Sequence, residues 1–305
     1  MSAVDAAIVI PCRNATAVIG RQLRALSRQV TDRSWTVVVV DDGSHDDLAA
    51  VVDAHRHVLP QILYLRRDRG GGTGSARNVG ARATDTTALL FLDADDEVAE
   101  DYVDAMLRAL DASPLVCARI DYTRLNSQRV LGRLPNGHAG RTPAESDFLP
   151  FIPGGLMGMS RALFDELGGM SEELPALADV DMSWRAQLAG HAVALAETTV
   201  AVEMRSTALG QLRRGRFQGR DVVELYDRFA DSGAPRHAVL SHVAGWLRLV
   251  ARLPAAALPG CRTKVSWELG WLVGVAAGLS ARRRTVTGAR GKAWASCEGV
   301  DGRAG

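Results

Sequence analysis

Two apolar runs in the first hundred residues end in the same way. Val37-Val38-Val39-Val40 runs into Asp41-Asp42-Gly43-Ser44, and Leu89-Leu90-Phe91-Leu92 runs into Asp93-Ala94-Asp95-Asp96. A short, unbroken apolar run reads as a strand buried on both faces, the kind that parallel sheets use. Acids are poor strand residues, so each run stops where its carboxylates begin. In an open α/β sheet those carboxyl ends line the crevice that takes ligands. Adjacent parallel strands would aim both sets of acids into one crevice. Oxygen ligands at such an edge suit Mg²⁺ or Mn²⁺ carrying a substrate phosphate.

The surrounding pattern fits that sheet. Strand-like runs at Ala6 to Ile10 (stopped by Pro11), Thr36 to Val40, Gln61 to Leu65 and Ala88 to Leu92 alternate with helical patterns at 15 to 30, Asp46 to His57 and Ser75 to Ala83. Alternation of this kind predicts a mostly parallel sheet with helices on both faces. Further on, Tyr102 to Leu110 reads as helix, Leu115 to Ile120 as strand and Val180 to Ala189 as helix, with two short strands around Ala192 and Val200. Leu134 to Pro153 is rich in Pro, Gly and polar residues and reads as a long loop, the candidate acceptor loop. From Thr207 onward the pattern is helical. The division expected is a domain over 1–230, with halves 1–100 and 101–230, a helical extension over 231–290 and a disordered tail over 291–305.

Composition narrows the class. With 305 residues, 47% hydrophobic content and a net charge of +1, the chain is an ordinary globular one, with no nucleic-acid partner expected. Cys12, Cys117, Cys261 and Cys297 have no zinc-knuckle or redox-pair spacing, which points to a reduced, cytoplasmic setting. The start reads as a first strand rather than a signal peptide. Val265 to Ala281, with Trp267 and Trp271, has 17 residues and precedes Arg282-Arg283-Arg284. It is short of the roughly 20 residues that span a bilayer. Two readings stand: peripheral contact with the inner face of the cell membrane through 263–284, or a packed helix or homodimer contact.

Individual motifs leave alternatives. Asp41 and Asp42 either accept hydrogen bonds from a base or ribose, or form an Asx turn and a helix cap. Gly70-Gly71-Gly72-Thr73-Gly74 lacks the Lys-Ser/Thr of a P-loop and has Arg77 where a dinucleotide site has its third glycine. The loop still lets backbone approach a ligand, and Arg77 can pair with a diphosphate or orient a carboxylate. Asp179 is either an N-cap or a general base.

Taken together, Ile10-Pro11-Cys12-Arg13-Asn14, Val40-Asp41-Asp42-Gly43-Ser44, Gly74-Ser75-Ala76-Arg77-Asn78-Val79-Gly80 and Phe91-Leu92-Asp93-Ala94-Asp95-Asp96 resemble the family 2 glycosyltransferases in order and spacing. Gly158 to Met170, with Arg161, Phe164 and Gly168-Gly169, resembles that family's central segment. The resemblance implies an α/β fold of GT-A type and an inverting, metal-dependent transfer from a nucleotide-diphosphate sugar to a hydroxyl acceptor on a glycan, a lipid-linked sugar or a small metabolite. It implies Pro11, Arg13, Asn14, Asp41 and Asp42 at the nucleoside, Arg77 near ribose or diphosphate, and Asp93, Ala94 and Asp95 as the Asp-x-Asp segment. In that segment Asp95 would bind the metal (Mn²⁺ or Mg²⁺) and Asp93 the ribose or metal. Asp179 matches the catalytic base.

Three departures stand out. Ala178 replaces the usual Glu before the base, which leaves Asp181 as an alternative base. Met170-Ser171-Glu172 replaces Phe-Asp-Glu. Val202-Glu203-Met204-Arg205 stands where many members have a His, with Glu203 a candidate third oxygen ligand. Gln211-Leu212-Arg213-Arg214-Gly215 lacks the Trp of the processive motif, so a non-processive enzyme is expected. The alternatives are a nucleotidyltransferase and a degenerate sugar-nucleotide-binding protein.

Overall fold

The computed structural model describes residues 4–59, 61–131, 142–204, 207–235, 239–254 and 261–297. The chain forms two compact units, Met1–Arg205 and Ser206–Gly305.

The first unit is built on a sheet of eight strands among the described residues. In chain order they are β1 (Ala6–Cys12), β2 (Trp35–Asp41), β3 (Ile62–Arg66), β4 (Ala88–Phe91), β5 (Glu97–Val98), β6 (Leu115–Asp121), β7 (Met157–Ser160) and β8 (Ala194–Ala201). Their order across the sheet is β3-β2-β1-β4-β7-β6-β8-β5. Strands β1 to β4 are mutually parallel, as are β6 and β8, while β7 and β5 run antiparallel to their neighbours. This is the mostly parallel α/β sheet expected.

The helices of this unit are α1 (Ile19–Leu26), α2 (Leu48–Asp53), α3 (Thr73–Arg82), α4 (Tyr102–Ala112), α5 (Gln128–Leu131), α6 (Arg161–Glu166) and α7 (Ala178–Leu188). The apolar runs of β1, β2 and β4 are buried throughout and form the core with Ile19, Leu23 and Leu26 of α1. Helix α3 lies close on the sheet at Gly80, where a Cβ would meet the Val9 and Val40 side chains. That contact fixes how Arg77, on the same helix, reaches the strand ends.

Several boundaries differ from the sequence reading. The two acid-tipped strands are not adjacent, because β1 lies between β2 and β4. Strand β1 runs through Pro11: β4 ends opposite Val9, so only β2 flanks β1 there and the missing amide costs little. The helix expected over 15–30 is confined to Ile19–Leu26. One strand, β8, replaces the two expected around Ala192 and Val200. Asp179 is not an N-cap: Leu177 holds that place, and Asp179 lies in the first turn of α7.

The second unit contains α8 (Ala208–Arg228), α9 (Val239–Arg252) and α10 (Arg262–Cys297). The boundary lies at 205/206 rather than at 230, and glycine spacing gives the reason. On α8, Gly215 and Gly219 sit against the backbone of Trp267 and Trp271. On α10, Gly270, Gly274 and Gly278 sit against the backbone of Leu212, Arg216 and Arg220. Small residues four apart on both helices bring the backbones together, so α8 belongs with α10. Residues 291–297, expected to be disordered, continue α10, and 298–305 lie outside the described residues. No described helix is long and apolar enough to cross a membrane.

Candidate active site

The carboxyl ends of β1, β2 and β4 deliver the motif residues to one edge. At the end of β2, Asp41 is buried and fully engaged. Its Oδ1 accepts from the Ser44 amide at 2.7 Å, and its Oδ2 from the Tyr64 hydroxyl at 2.6 Å and Arg66 Nη1 at 2.9 Å. Burial alone would raise its pKa. The hydrogen bonds from Ser44 and Tyr64 and the charge of Arg66 outweigh burial and hold it below the usual carboxylate range. Beside it, Asp42 accepts from Arg67 Nη1 at 2.8 Å and from the amides of Gly71 at 3.0 Å and Gly72 at 2.9 Å. Asp42 therefore shapes the glycine loop.

In that loop a Cβ at Gly70 would lie 2.9 Å from the Asp42 carbonyl oxygen and 3.0 Å from Arg13 Nη1. The glycines thus let the loop close on β1 and β2, as their composition suggested. Asn14 completes this corner. It adopts a left-handed φ of 52°, takes a bond from its own amide to Ser44 Oγ, and accepts from the His45 amide through its side chain. Pro11 is half-buried and Arg13 exposed.

A second group forms at the end of β4. Arg77, buried on α3, donates through Nη2 to Asp93 Oδ1 at 2.7 Å, with its side chain 4% exposed and that of Asp93 45%. Among the described residues the Arg77 Nε has no hydrogen-bond partner. The turn Gly154–Leu156 passes over this pair. A Cβ on Gly155 would stand 3.0 Å from both Asp93 Oδ2 and Asp96 Oδ2. The Gly154 amide donates to Asp179 Oδ2 at 2.9 Å, and the Val180 amide to Asp179 Oδ1 at 3.0 Å.

Burial raises the Asp179 carboxyl above its ordinary pKa, against the charge of Arg77 and those two amides, and Asp93 adds to the rise. Arg77, Asp93 and Asp179 are therefore gathered around Gly154-Gly155. The described part of the long loop, 142–153, leads into this turn. It is pinned to α7 by Trp184 Nε1 on the Leu149 carbonyl, Gln187 on the Pro150 carbonyl and Ser183 Oγ on the Ile152 amide. Residues 134–141 of the candidate acceptor loop lie outside the described residues.

Asp181 is not part of this group. Two residues on along α7, it faces another direction. It is buried in an ion pair with Arg185 at 2.7 Å, and that guanidinium also holds the Leu167 and Gly169 carbonyls.

Each departure has a local partner. Ala178 faces Gly74, where an added Cβ would lie 2.8 Å from its own. Asn78 brackets Met170 by its amide and carbonyl and also donates to Glu172 Oε1 at 3.1 Å, a bond that helps lower the Glu172 pKa. Glu203 pairs with Arg21 at 2.7 Å, and the same Arg21 Nη2 donates to the Asp95 carbonyl.

Several acids crowd this edge. Asp96 is pushed up to about 9 by burial and then by the charges of Asp93 and Asp95. Cys12 is raised by burial and then by Asp41, Asp93 and Asp95. The carboxylates at this edge form an all-oxygen donor set, which fits a hard divalent cation. Among the described residues no three metal-ligating side chains converge. The fit is therefore to an ion held by one or two carboxylates and completed by substrate phosphate. Glu203, the candidate third oxygen ligand, is paired with Arg21.

The sequence reading missed Tyr64 and Arg66, which occupy Asp41, and Gly154 and Gly155, which make the site by lacking side chains. The only sequence signal for the glycine pair was its place between Pro153 and an apolar segment.

Known proteins share parts of this sequence and its fold. The glycosyl transferase family 2 model matches residues 7–168, more than half of the chain. Validoxylamine A glucosyltransferase of Streptomyces hygroscopicus subsp. jinggangensis is 38% identical over 103 residues, 33% of this chain and 24% of that protein. The pre-mycofactocin glycosyltransferase of Mycobacterium tuberculosis is 26% identical over 244 residues, 76% of this chain and 49% of that one. The chain thus spans less than half the length of these two relatives.

Among solved structures, a mannosyltransferase from Pyrobaculum calidifontis in complex with GDP-Man and Mn²⁺ superposes with TM-score 0.60 at 17% identity, over 92% of this chain and 88% of that one. S. aureus TarS 1-349 in complex with UDP gives 0.52 at 17%, over 92% and 91%. At such identity the likeness is one of fold, and the fold is GT-A.

Proposed function

The chain belongs to glycosyl transferase family 2, and from that premise we propose that it transfers a sugar from a nucleotide-diphosphate donor to a hydroxyl acceptor with inversion, one residue at a time. The observation that carries this reading is the grouping of Arg77, Asp93 and Asp179 around the Gly154-Gly155 turn.

Asp179 is the general base. Its raised pKa suits proton removal, and amides on both oxygens fix its direction. It takes the acceptor proton as the hydroxyl oxygen bonds to the anomeric carbon. The bond from that carbon to the diphosphate breaks on the opposite face, and inversion follows. Arg77 orients the Asp93 carboxylate and faces the diphosphate. Pro11, Arg13, Asn14, Asp41 and Asp42 border the nucleoside side, where the glycine loop allows close approach. A Mn²⁺ or Mg²⁺ ion, held through Asp95 and Asp93, would neutralise charge on the departing diphosphate. The ligands named for solved structures of this fold, GDP-Man in one and UDP in another, support the donor class.

The test is product analysis with purified protein. Asp179→Asn should lower nucleoside diphosphate release by about 10²–10⁴-fold and leave donor binding intact. Proton NMR of the product should show the anomeric configuration opposite to the donor's. Retained configuration, or release of pyrophosphate, would overturn the proposal.

A further inference from the structure

The two units carry opposite charge. Residues 1–205 hold 20 basic and 28 acidic residues, a net −8, whereas residues 206–305 hold 16 basic and 7 acidic, a net +9. The overall +1 conceals this division. A cationic unit attached to an anionic catalytic unit calls for an anionic partner that the catalytic unit itself would repel.

Helix α9 shows what kind of partner. Its inner face packs on α10: Leu249 is buried with Val265 and Leu272, Trp246 joins that cluster, and Gly245 sits against Leu272. Among the described residues its other face has no such cover. Val243, Leu247 and Val250 are 50%, 68% and 60% exposed. They recur at helical spacing as one stripe, beside exposed Ala244, Ala251 and Arg248. Exposed Arg262 and Lys264 open α10, and the run Arg282-Arg283-Arg284 lies further along it. On α8, Arg213, Arg214 and Arg216 are exposed with Phe217 among them.

We propose that the α9 stripe Val243, Leu247 and Val250 seats the helical unit on an anionic lipid bilayer, with exposed Arg248 beside it and the net positive charge of the unit at the headgroups. An apolar stripe on a cationic unit suits both layers of a membrane interface: the side chains enter the acyl boundary and the charges stay at the phosphates. A nucleic acid would use the cations and leave the stripe in water. The attachment proposed is peripheral, and no described helix is long and apolar enough to span a bilayer. It also differs from a surface made by the Trp267–Trp271 face of α10. Those rings stack on each other at 5.1 Å, and Trp267 donates to Gln218 of α8. This inference does not depend on the proposed chemistry, because its readout is binding alone.

The test is flotation of the full chain with vesicles of phosphatidylcholine, and of phosphatidylcholine mixed with phosphatidylglycerol. The protein should float with the anionic vesicles only, and less as salt rises. The triple variant Val243→Ser, Leu247→Ser, Val250→Ser should weaken that binding by about tenfold or more. All three side chains are exposed, so its circular dichroism and melting should match the parent. No flotation, equal flotation on neutral vesicles, or a triple variant that binds as well as the parent would overturn the proposal. So would light scattering that shows a dimer which the triple variant converts to monomer, since the stripe would then be a contact between copies.

Discussion

Gly154→Ala places one methyl group in the centre of the proposed site. That Cβ would lie 2.6 Å from Arg77 Cζ and 2.7 Å from its Nη2, and closer still to Nη1. Ordinary contact is about 3.5–4.0 Å, so the guanidinium must move by on the order of 1 Å. It is the mobile end of a long side chain, and the fold can absorb the shift for about 1–3 kcal/mol. For a domain of this size that lowers Tm by about 2–4 °C per kcal/mol.

The site has less tolerance. Arg77 is almost fully enclosed and bonded to Asp93, so moving it shifts the carboxylate proposed to meet donor and metal. A misplacement of about 1 Å costs about 10²-fold in rate, or about 2.7 kcal/mol of transition-state stabilisation. The assay is nucleoside diphosphate release across a panel of sugar nucleotides, alongside thermal melting. The expected result is a folded variant with kcat/KM down about 100-fold. A variant with parental kcat/KM would refute the claim that the Arg77–Asp93 geometry matters.

Asp181→Asn should show the reverse balance, losing about 1–3 kcal/mol of stability by urea denaturation because Arg185 loses its buried charged acceptor, while turnover falls far less than in Asp179→Asn. The Asp41 carboxyl is held below its ordinary range in the folded state, so it adds stability above its unfolded pKa of about 3.9 and loses that contribution as pH falls through the folded value. Arg66→Ala should therefore flatten the acid limb of a stability–pH curve and leave the curve's shape above pH ~6 unchanged; an unchanged acid limb would count against that pairing. Asp42→Ala removes the acceptor for the Gly71 and Gly72 amides, so limited proteolysis should cut at 68–74 faster than in the parent.

The strands that build the site were legible because burial on both faces leaves an unbroken apolar run, as at Val37 to Val40 and Leu89 to Leu92. The same runs made Asp41, Asp93 and Asp95 stand out. Other parts left little trace. Strand β5 is two residues long, and β7 begins Met157-Gly158-Met159, where a Cβ on Gly158 would lie 2.7 Å from Met106 Cε. The choice between Asp179 and Asp181 depended on where α7 begins, which sequence fixes poorly. Gly154 and Gly155 escaped notice because their contribution is an absent side chain. The boundary at 205/206 did have a signal, glycines four apart on two distant segments, but it means packing only once both segments are known to be helices facing each other.

The account rests on a nucleoside diphosphate and a divalent ion meeting at Asp93 and Asp95. The most direct measurement is titration calorimetry of UDP and of GDP against the protein, with and without Mn²⁺, repeated with Asp95→Ala. One nucleotide should bind far more tightly with the ion present, and Asp95→Ala should lose that dependence while still folding. Equal binding with and without Mn²⁺, or an Asp95→Ala protein that keeps the full metal response, would contradict the account.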